Sequence, residues 1–94
     1  NCLSFNNQAS IGNMYGFKFL PAIDIVNSIL KWNKAYNISG PNKAIGFSIK
    51  AGEESQNLII ANLSYNNKTN YENITNVYTG EISGNPTSLE NLSF

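Results

Sequence analysis

Histidine and arginine are absent from this chain of 94 residues, and cysteine occurs only at position 2. Without histidine, neither a Ser–His nor a Cys–His nucleophile pair can form, and most zinc sites lose their usual ligand. A single cysteine also excludes a disulfide within the chain. Cys2 itself stays open to several interpretations: an inert exposed thiol, a small apolar residue in a first strand, an intermolecular disulfide or a lipid anchor.

Charged residues are scarce as well. Six lysines and six acidic residues make up 13% of the chain and give zero formal net charge. Nucleic-acid-binding proteins normally present a basic patch that contains arginine, and this sequence has none. It also lacks a polybasic segment for an anionic membrane surface, and no apolar run approaches the ~18 residues of a membrane-spanning helix. We therefore expect no nucleic-acid partner and no transmembrane segment.

The acidic residues are the remaining candidates for catalysis. A pair of carboxylates can hydrolyse a glycoside, but Glu53 and Glu54 lie in a predicted loop and the other acids are isolated charges. The sequence has no glycine-rich phosphate loop, and the loop at 51–56 has too few acidic ligands for a good calcium site. We expect a protein without enzymatic activity, metal or cofactor. The acids considered are Asp24, Glu53, Glu54, Glu72, Glu81 and Glu90.

Asparagine is the residue in excess, with 17 copies beside ten serines and four threonines. Coding bias can enrich asparagine, but uncharged polarity is also frequent in secreted and surface proteins. Because the sequence begins at Asn1 rather than at methionine, we expect a processed mature form or an excised domain of an extracellular or cell-surface protein. Five Asn-x-Ser/Thr sequons are candidate N-glycosylation sites. They are Asn37, Asn62, Asn67, Asn73 and Asn91.

The segment 21–37, PAIDIVNSILKWNKAYN, has helical periodicity and predicts an amphipathic helix. Pro21 suits the first helical position, and the Ser-Gly-Pro sequence at 39–41 predicts the end of the helix. Asn33 interrupts the apolar face. It is either an edge residue bonded to backbone or water, or a polar specificity residue at a helix–helix interface. The expected core residues of the helix are Ile25, Val26, Ile29, Leu30, Trp32 and Tyr36.

Alternating apolar and polar residues predict β-strands in much of the remaining chain, without an internal repeat. Residues 1–13 form an N-terminal segment, either an arm or a short strand. The whole chain, 1–94, is predicted to be a single small α+β domain in which the helix at about 21–37 packs on an antiparallel sheet of four to five strands. The predicted strands are 2–5, 14–20, 43–50, 57–65, 74–82 and 88–94, with loops at 51–56 and 66–70.

The leading functional hypothesis is a non-enzymatic structural domain of the cell surface or extracellular space. It would be a subunit of an appendage or surface complex and would associate with itself, or with another surface protein, through sheet edges or a sheet face. The alternative is a glycan- or protein-binding module with Tyr- and Asn-rich loops. A third hypothesis is a membrane-active toxin fragment that inserts Trp32 and the helix face. Candidate partner or glycan contacts are Ser48, Asn62, Ser64, Tyr65, Asn66, Asn67, Asn70, Tyr71 and Tyr78.

Overall fold

A computed structural model describes residues 1–19, 28–79 and 90–93. Within these ranges the chain forms ten short β-strands and one turn of 3-10 helix, Glu53–Gln56. The strands are β1 (Leu3–Phe5), β2 (Met14–Lys18), β3 (Ile29–Lys31), β4 (Lys34–Tyr36), β5 (Ala44–Ser48), β6 (Leu58–Ile60), β7 (Leu63–Tyr65), β8 (Thr69–Glu72), β9 (Val77–Thr79) and β10 (Asn91–Ser93).

All strand pairings among the described residues are parallel and form three sheets. The five-stranded sheet has the order β1-β4-β7-β10-β9, the three-stranded sheet β2-β5-β8 and the two-stranded sheet β3-β6. In the five-stranded sheet, Leu3 lies opposite Lys34, Lys34 opposite Leu63, and Leu63 opposite Leu92. Each turn of the chain, which we call a coil, thus stacks equivalent strands on the previous turn, as in a β-solenoid.

The end of the five-stranded sheet departs from this simple winding. Strand β10 lies between β7 and β9, although β9 precedes it in the chain. Leu92 pairs with Leu63 on one side and with Tyr78 on the other. The last strand in the sequence is therefore an inner strand of the sheet, and β9 is its outer neighbour.

The prediction of an α+β fold with an antiparallel sheet is wrong. The second half of the predicted helix forms strands β3 and β4, and the only helical element in the described ranges is the 3-10 turn. Of the expected helix core, Ile29 and Trp32 are exposed, whereas Leu30 and Tyr36 are half-buried. The segment 20–27, with Ile25 and Val26, lies outside the described residues. Apolar residues on two short strands separated by a corner can imitate the spacing of a helix.

Several predicted strands are present, but their bounds differ. Strands β1, β2, β5 and β10 fall inside predicted segments. The predicted strand 57–65 is divided into β6 and β7 by a corner at Ala61, whose φ is 56°. The predicted loop 66–70 contains the start of β8, and the loop 51–56 contains the 3-10 turn.

The coils also share a sequence pattern, so the prediction of no internal repeat is wrong. The segments CLSFN (2–6), NKAYN (33–37), NLSYN (62–66) and NLS (91–93) occupy equivalent places in the five-stranded sheet. Hydrogen bonds between the first positions of these segments join residues separated by 31 and then 29 positions. The pattern is short and its spacing varies, which weakens it as a sequence signal.

Small side chains allow the five-stranded and three-stranded sheets to approach closely. Ala35 and Ser64 are fully buried. A Cβ atom added to Gly46 would lie 2.1 Å from Ser64 Oγ, and one added to Gly16 would lie 2.9 Å from Ala35 Cβ. Glycine is therefore required at both positions for the sheets to pack. The buried apolar cluster contains Ala35, Phe47, Ile49, Ile59 and Ile74.

Candidate functional site

A ladder of three buried asparagines lies where the coils enter the five-stranded sheet: Asn33, Asn62 and Asn91. The backbone and side-chain N–H groups of Asn33 both donate to Asn62 Oδ1 at 3.0 Å, and those of Asn62 donate to Asn91 Oδ1 at 3.1 and 2.8 Å. The side-chain amides of Asn62 and Asn91 also donate to the carbonyls of Leu30 and Ile59. These hydrogen bonds satisfy the polar groups of a buried corner, so the ladder is structural.

The ladder also corrects the interpretation of Asn33. This residue precedes a strand, and its Oδ1 accepts a hydrogen bond from the Cys2 backbone N–H at 2.8 Å. It therefore bonds to backbone groups, as the first of the two interpretations predicts. It lies in a buried corner, however, and not at the edge of a helix or at a helix–helix interface. Cys2 takes the equivalent position in the first coil, and its side chain is exposed.

A second asparagine ladder lies where the strands leave the same sheet. Asn6, Asn37 and Asn66 have left-handed φ angles of 56°, 56° and 54°. The side-chain amide of Asn37 donates to Asn6 Oδ1 at 2.8 Å, and that of Asn66 donates to Asn37 Oδ1. Asparagine tolerates this backbone conformation better than most non-glycine residues. The residue type is thus explained by the corner that it forms.

An aromatic stack runs beside the second ladder. The rings of Phe5 and Tyr36 are 5.3 Å apart at an interplanar angle of 17°, and those of Tyr36 and Tyr65 are 4.8 Å apart at 5°. Both faces of Tyr36 are covered by its neighbours, whereas Phe5 and Tyr65 each use one face in the stack. The stack therefore stabilises the contact between successive coils.

The other candidate contact residues have mainly internal hydrogen bonds. The buried Ser48 hydroxyl donates to Glu72 Oε1 at 2.6 Å, and the buried Ser64 hydroxyl donates to the Asn70 carbonyl at 3.0 Å. The side-chain amide of Asn67 donates to Ser64 Oγ at 2.9 Å. Ser48 and Ser64 thus lie inside the solenoid, not on the outer face of a sheet as expected.

Tyr71 and Tyr78 lie near the last strand. The Tyr71 hydroxyl lies 2.9 Å from the Asn62 carbonyl and 2.7 Å from the Leu92 carbonyl. Burial raises the pKa of this hydroxyl well above its usual range. Tyr78 is half-buried in β9, opposite Leu92. Tyr71 therefore connects the three-stranded sheet to the buried end of the five-stranded sheet.

The sequons differ in accessibility. Asn62 and Asn91 are completely enclosed, so the folded coil leaves no room for a glycan on either side chain. Asn73 is exposed, whereas Asn37 and Asn67 are half-buried and donate hydrogen bonds from their side chains. Glycosylation at these three positions stays a prediction.

One salt bridge is found among the described residues, between Lys43 Nζ and Glu72 Oε2 at 3.0 Å. The Ser48 hydroxyl and then Lys43 lower the pKa of Glu72, and Glu72 in turn raises the pKa of Lys43. The pair links β8 to the residue before β5. Within the described ranges, no group of three acidic or cysteine side chains is arranged to hold a metal ion.

Three large apolar side chains are exposed on two successive coils, and we call this set the apolar flank: Ile29, Leu58 and Trp32. Ile29 and Leu58 lie opposite each other in the two-stranded sheet and are 66% and 46% exposed. Trp32 is 61% exposed at the corner that follows, and Lys31 Nζ lies 4.2 Å from the centre of its ring. Ile29 and Trp32 were predicted to be core residues, and Leu58 had no predicted role. The alternation of apolar and polar residues in Ile29–Lys31 is the signal that indicates a strand here instead of a helix.

A cavity of about 260 Å³ opens beside the flank. Most of the described side chains around it are apolar, and the only charged one is Glu53, which is 3% exposed. Glu53 lies in the predicted loop at 51–56, and no feature of the local sequence indicates that its side chain is buried. The described lining residues are Phe19, Ser28, Ile29, Leu30, Ile49, Glu53, Asn57 and Ile59.

Comparison with known proteins yields no match: no protein family, no curated protein and no solved structure resembles this chain. No helix in the described part of the chain is long and apolar enough to cross a bilayer. The apolar flank and the cavity beside it are the surface features that support the proposals below.

Proposed function

We propose that this chain is a non-enzymatic structural module of an extracellular or cell-surface protein, and that it associates with a second copy through the apolar flank. The exposure of Ile29, Leu58 and Trp32 on two successive coils carries the proposal. Clustered apolar side chains on a surface are typical of interaction sites. Burying them would contribute about 25 cal/mol for each Å² removed from water.

Charge supports a second copy as the partner. Zero formal net charge removes the long-range repulsion that keeps identical domains apart. Lys31 lies beside the flank, with its Nζ over the Trp32 ring. A two-fold dimer would place the same patch of each copy against the other, so that apolar side chains meet apolar side chains. The abundance of uncharged polar residues is the support for an extracellular or surface location.

Each of the two alternatives rests on a premise with less support. The glycan hypothesis needs exposed ring faces, but both faces of Tyr36 are covered in the aromatic stack, and Phe5 and Tyr65 each use one face in it. The toxin hypothesis assumes an insertion helix around Trp32, but this residue lies between strands β3 and β4. Association through the flank requires neither premise.

Sedimentation velocity over a range of protein concentrations tests the proposal. We expect concentration-dependent association of the native chain. The Leu58→Lys variant should associate at least roughly tenfold more weakly, because the interface would have to bury an unpaired charge. Its circular dichroism spectrum should not change, since this side chain is partly exposed in the monomer.

The matched control is Ile11→Lys, which introduces the same charge at an exposed isoleucine outside the flank. This variant should associate like the native chain. A native chain that stays monomeric at all concentrations would refute the proposal, and so would equal weakening by the two lysine substitutions.

A further inference from the structure

We propose that the cavity beside the apolar flank binds a small molecule with an apolar body and a primary ammonium group, which Glu53 accepts. The proposal goes beyond the association proposed above, although Ile29 belongs to both the flank and the cavity lining. Its evidence is the shape of the cavity, the chemistry of its lining and the burial of one acid.

The apolar part of the ligand follows from the lining. Ile49 and Ile59 are buried in the core, and Phe19 and Leu30 pack against the core cluster. These side chains supply no donor or acceptor that a polar ligand body would need. The volume of about 260 Å³ is slightly below the usual range of small-molecule sites, so a ligand no larger than a single ring with a short chain is a suitable size.

The ammonium group follows from Glu53. This residue is 3% exposed and is the only charged residue among the described lining. A buried carboxylate favours a cationic partner and disfavours an anionic one. Glu53 has an interaction within the chain. A carboxylate offers about four acceptor positions, so it can keep that interaction and accept an ammonium donor as well.

The backbone around Glu53 holds the acid in place. The Glu53 N–H donates to the Lys50 carbonyl at 3.1 Å, and the Glu53 carbonyl accepts from the Asn57 side-chain amide at 2.7 Å. Gly52, before the 3-10 turn, has a left-handed φ of 89°, which glycine adopts without strain. The backbone position of Glu53 is thus set before a ligand arrives, which reduces the ordering cost of binding.

Two probes of similar shape test the site in the full chain at neutral pH: 2-phenylethylamine and the neutral 2-phenylethanol. We expect the amine to bind at least roughly tenfold more tightly, because a hydrogen bond to a charged group contributes more than a neutral one. Titration followed by ¹H–¹⁵N NMR should shift the amide signals of Ser28, Asn57 and Ile59. Equal affinity for the two probes, or shifts elsewhere in the chain, would contradict the proposal.

Substitutions identify the acceptor. Glu53→Gln should abolish the preference for the amine and leave the alcohol affinity unchanged. The neighbouring Glu54→Gln is the control, since the Glu54 carboxylate bonds to Thr75 outside this cavity. If Glu53→Gln does not fold, Leu30→Phe provides a second test. It should block both probes by filling the cavity, and unchanged binding of the amine to this variant would refute the site.

Discussion

The two asparagine ladders bracket the same strands of the five-stranded sheet but differ in their surroundings. Asn33, Asn62 and Asn91 are buried where the strands begin, whereas Asn66 is exposed and Asn37 half-buried after the strands. In the buried ladder the side-chain amides satisfy backbone groups that water cannot reach. In the outer ladder the left-handed backbone explains asparagine. The two ladders therefore share residue type and similar spacing, but the structural role of each asparagine depends on its burial.

The largest effect is expected from Asn62→Ala. The substitution leaves the Asn33 amides and the Leu30 carbonyl without their partner in a buried corner. Because each unsatisfied buried group costs about 1–3 kcal/mol, we expect a loss of roughly 3–5 kcal/mol in the free energy of unfolding. Urea denaturation measures it. A loss below ~1 kcal/mol would remove the distinction between the ladders.

The second largest loss of stability is expected from a steric clash between the five-stranded and three-stranded sheets. Gly46→Ala would place a Cβ 2.1 Å from Ser64 Oγ and 2.7 Å from the Asn70 backbone oxygen. Overpacking of this kind costs about 1–3 kcal/mol. Gly40→Ala is the matched control, because its new Cβ would be no closer than 3.5 Å to any neighbour. Denaturation of both variants should show a clear loss for the first and a change near zero for the second.

Tyr71→Phe tests the support of the buried ladder, because the hydroxyl bonds to the carbonyls of Asn62 and Leu92. We expect a loss of about 1–2 kcal/mol at neutral pH. The native chain should also lose stability as the pH rises above about 10, where the unfolded tyrosine ionises. The sign follows from a folded pKa that is raised, so the folded state keeps its proton when the unfolded state releases it.

The Tyr71→Phe variant should lack the part of the stability loss at alkaline pH that Tyr71 causes. Thermal denaturation from pH 7 to pH 11 compares the two chains, and parallel curves would show that Tyr71 does not cause the dependence. The other tyrosines of the chain are retained in both proteins, so they provide an internal control.

Asn66→Gly examines the outer ladder. Glycine adopts the left-handed φ of this corner without strain but loses the side-chain bond to Asn37. These changes oppose each other, so we expect a difference of less than about 1 kcal/mol in urea denaturation. A loss equal to that of Asn62→Ala would show that both ladders stabilise the coils in the same way.

Acid should have the smallest effect. The Ser48 hydroxyl and Lys43 hold the pKa of Glu72 below its usual range. The stabilisation is therefore present above the ordinary glutamate pKa of about 4.3 and is lost as the pH falls through the lowered folded value. Glu72→Gln should be less sensitive to pH between 5 and 2, measured as the urea midpoint at each pH. An unchanged acid profile would show that the salt bridge has no net effect.

Part of the fold could be predicted from the sequence. Alternation in Met14–Lys18 and Ala44–Ser48 correctly indicates strands. It does not identify their partners, because the same pattern fits parallel and antiparallel neighbours. The parallel pairing depends on contacts across 29 to 31 residues. Three asparagines among 17 carry that information, and the short pattern that follows them is too weak a signal to single them out.

The corners that precede the buried ladder could not be predicted from residue type. Trp32 and Ala61 have φ angles of 58° and 56°, although neither is a residue that prefers this conformation. Because Trp32 gives no signal of a corner, the apolar residues from Ile29 to Tyr36 have the spacing of a continuous helix. The buried carboxylate of Glu53 could not be predicted either, since burial of a loop acid depends on distant side chains.

The position of β10 between β7 and β9 has a consequence for biosynthesis. During translation, strands β4 and β7 can pair with an earlier strand of the five-stranded sheet as soon as they emerge, since that neighbour already exists. Strand β9 emerges before β10, the only strand with which it pairs in this sheet. It must wait for residues 91–93 or pair transiently elsewhere. Pairing of β9 in this sheet is therefore expected to follow the synthesis of β10 and to be a late folding step.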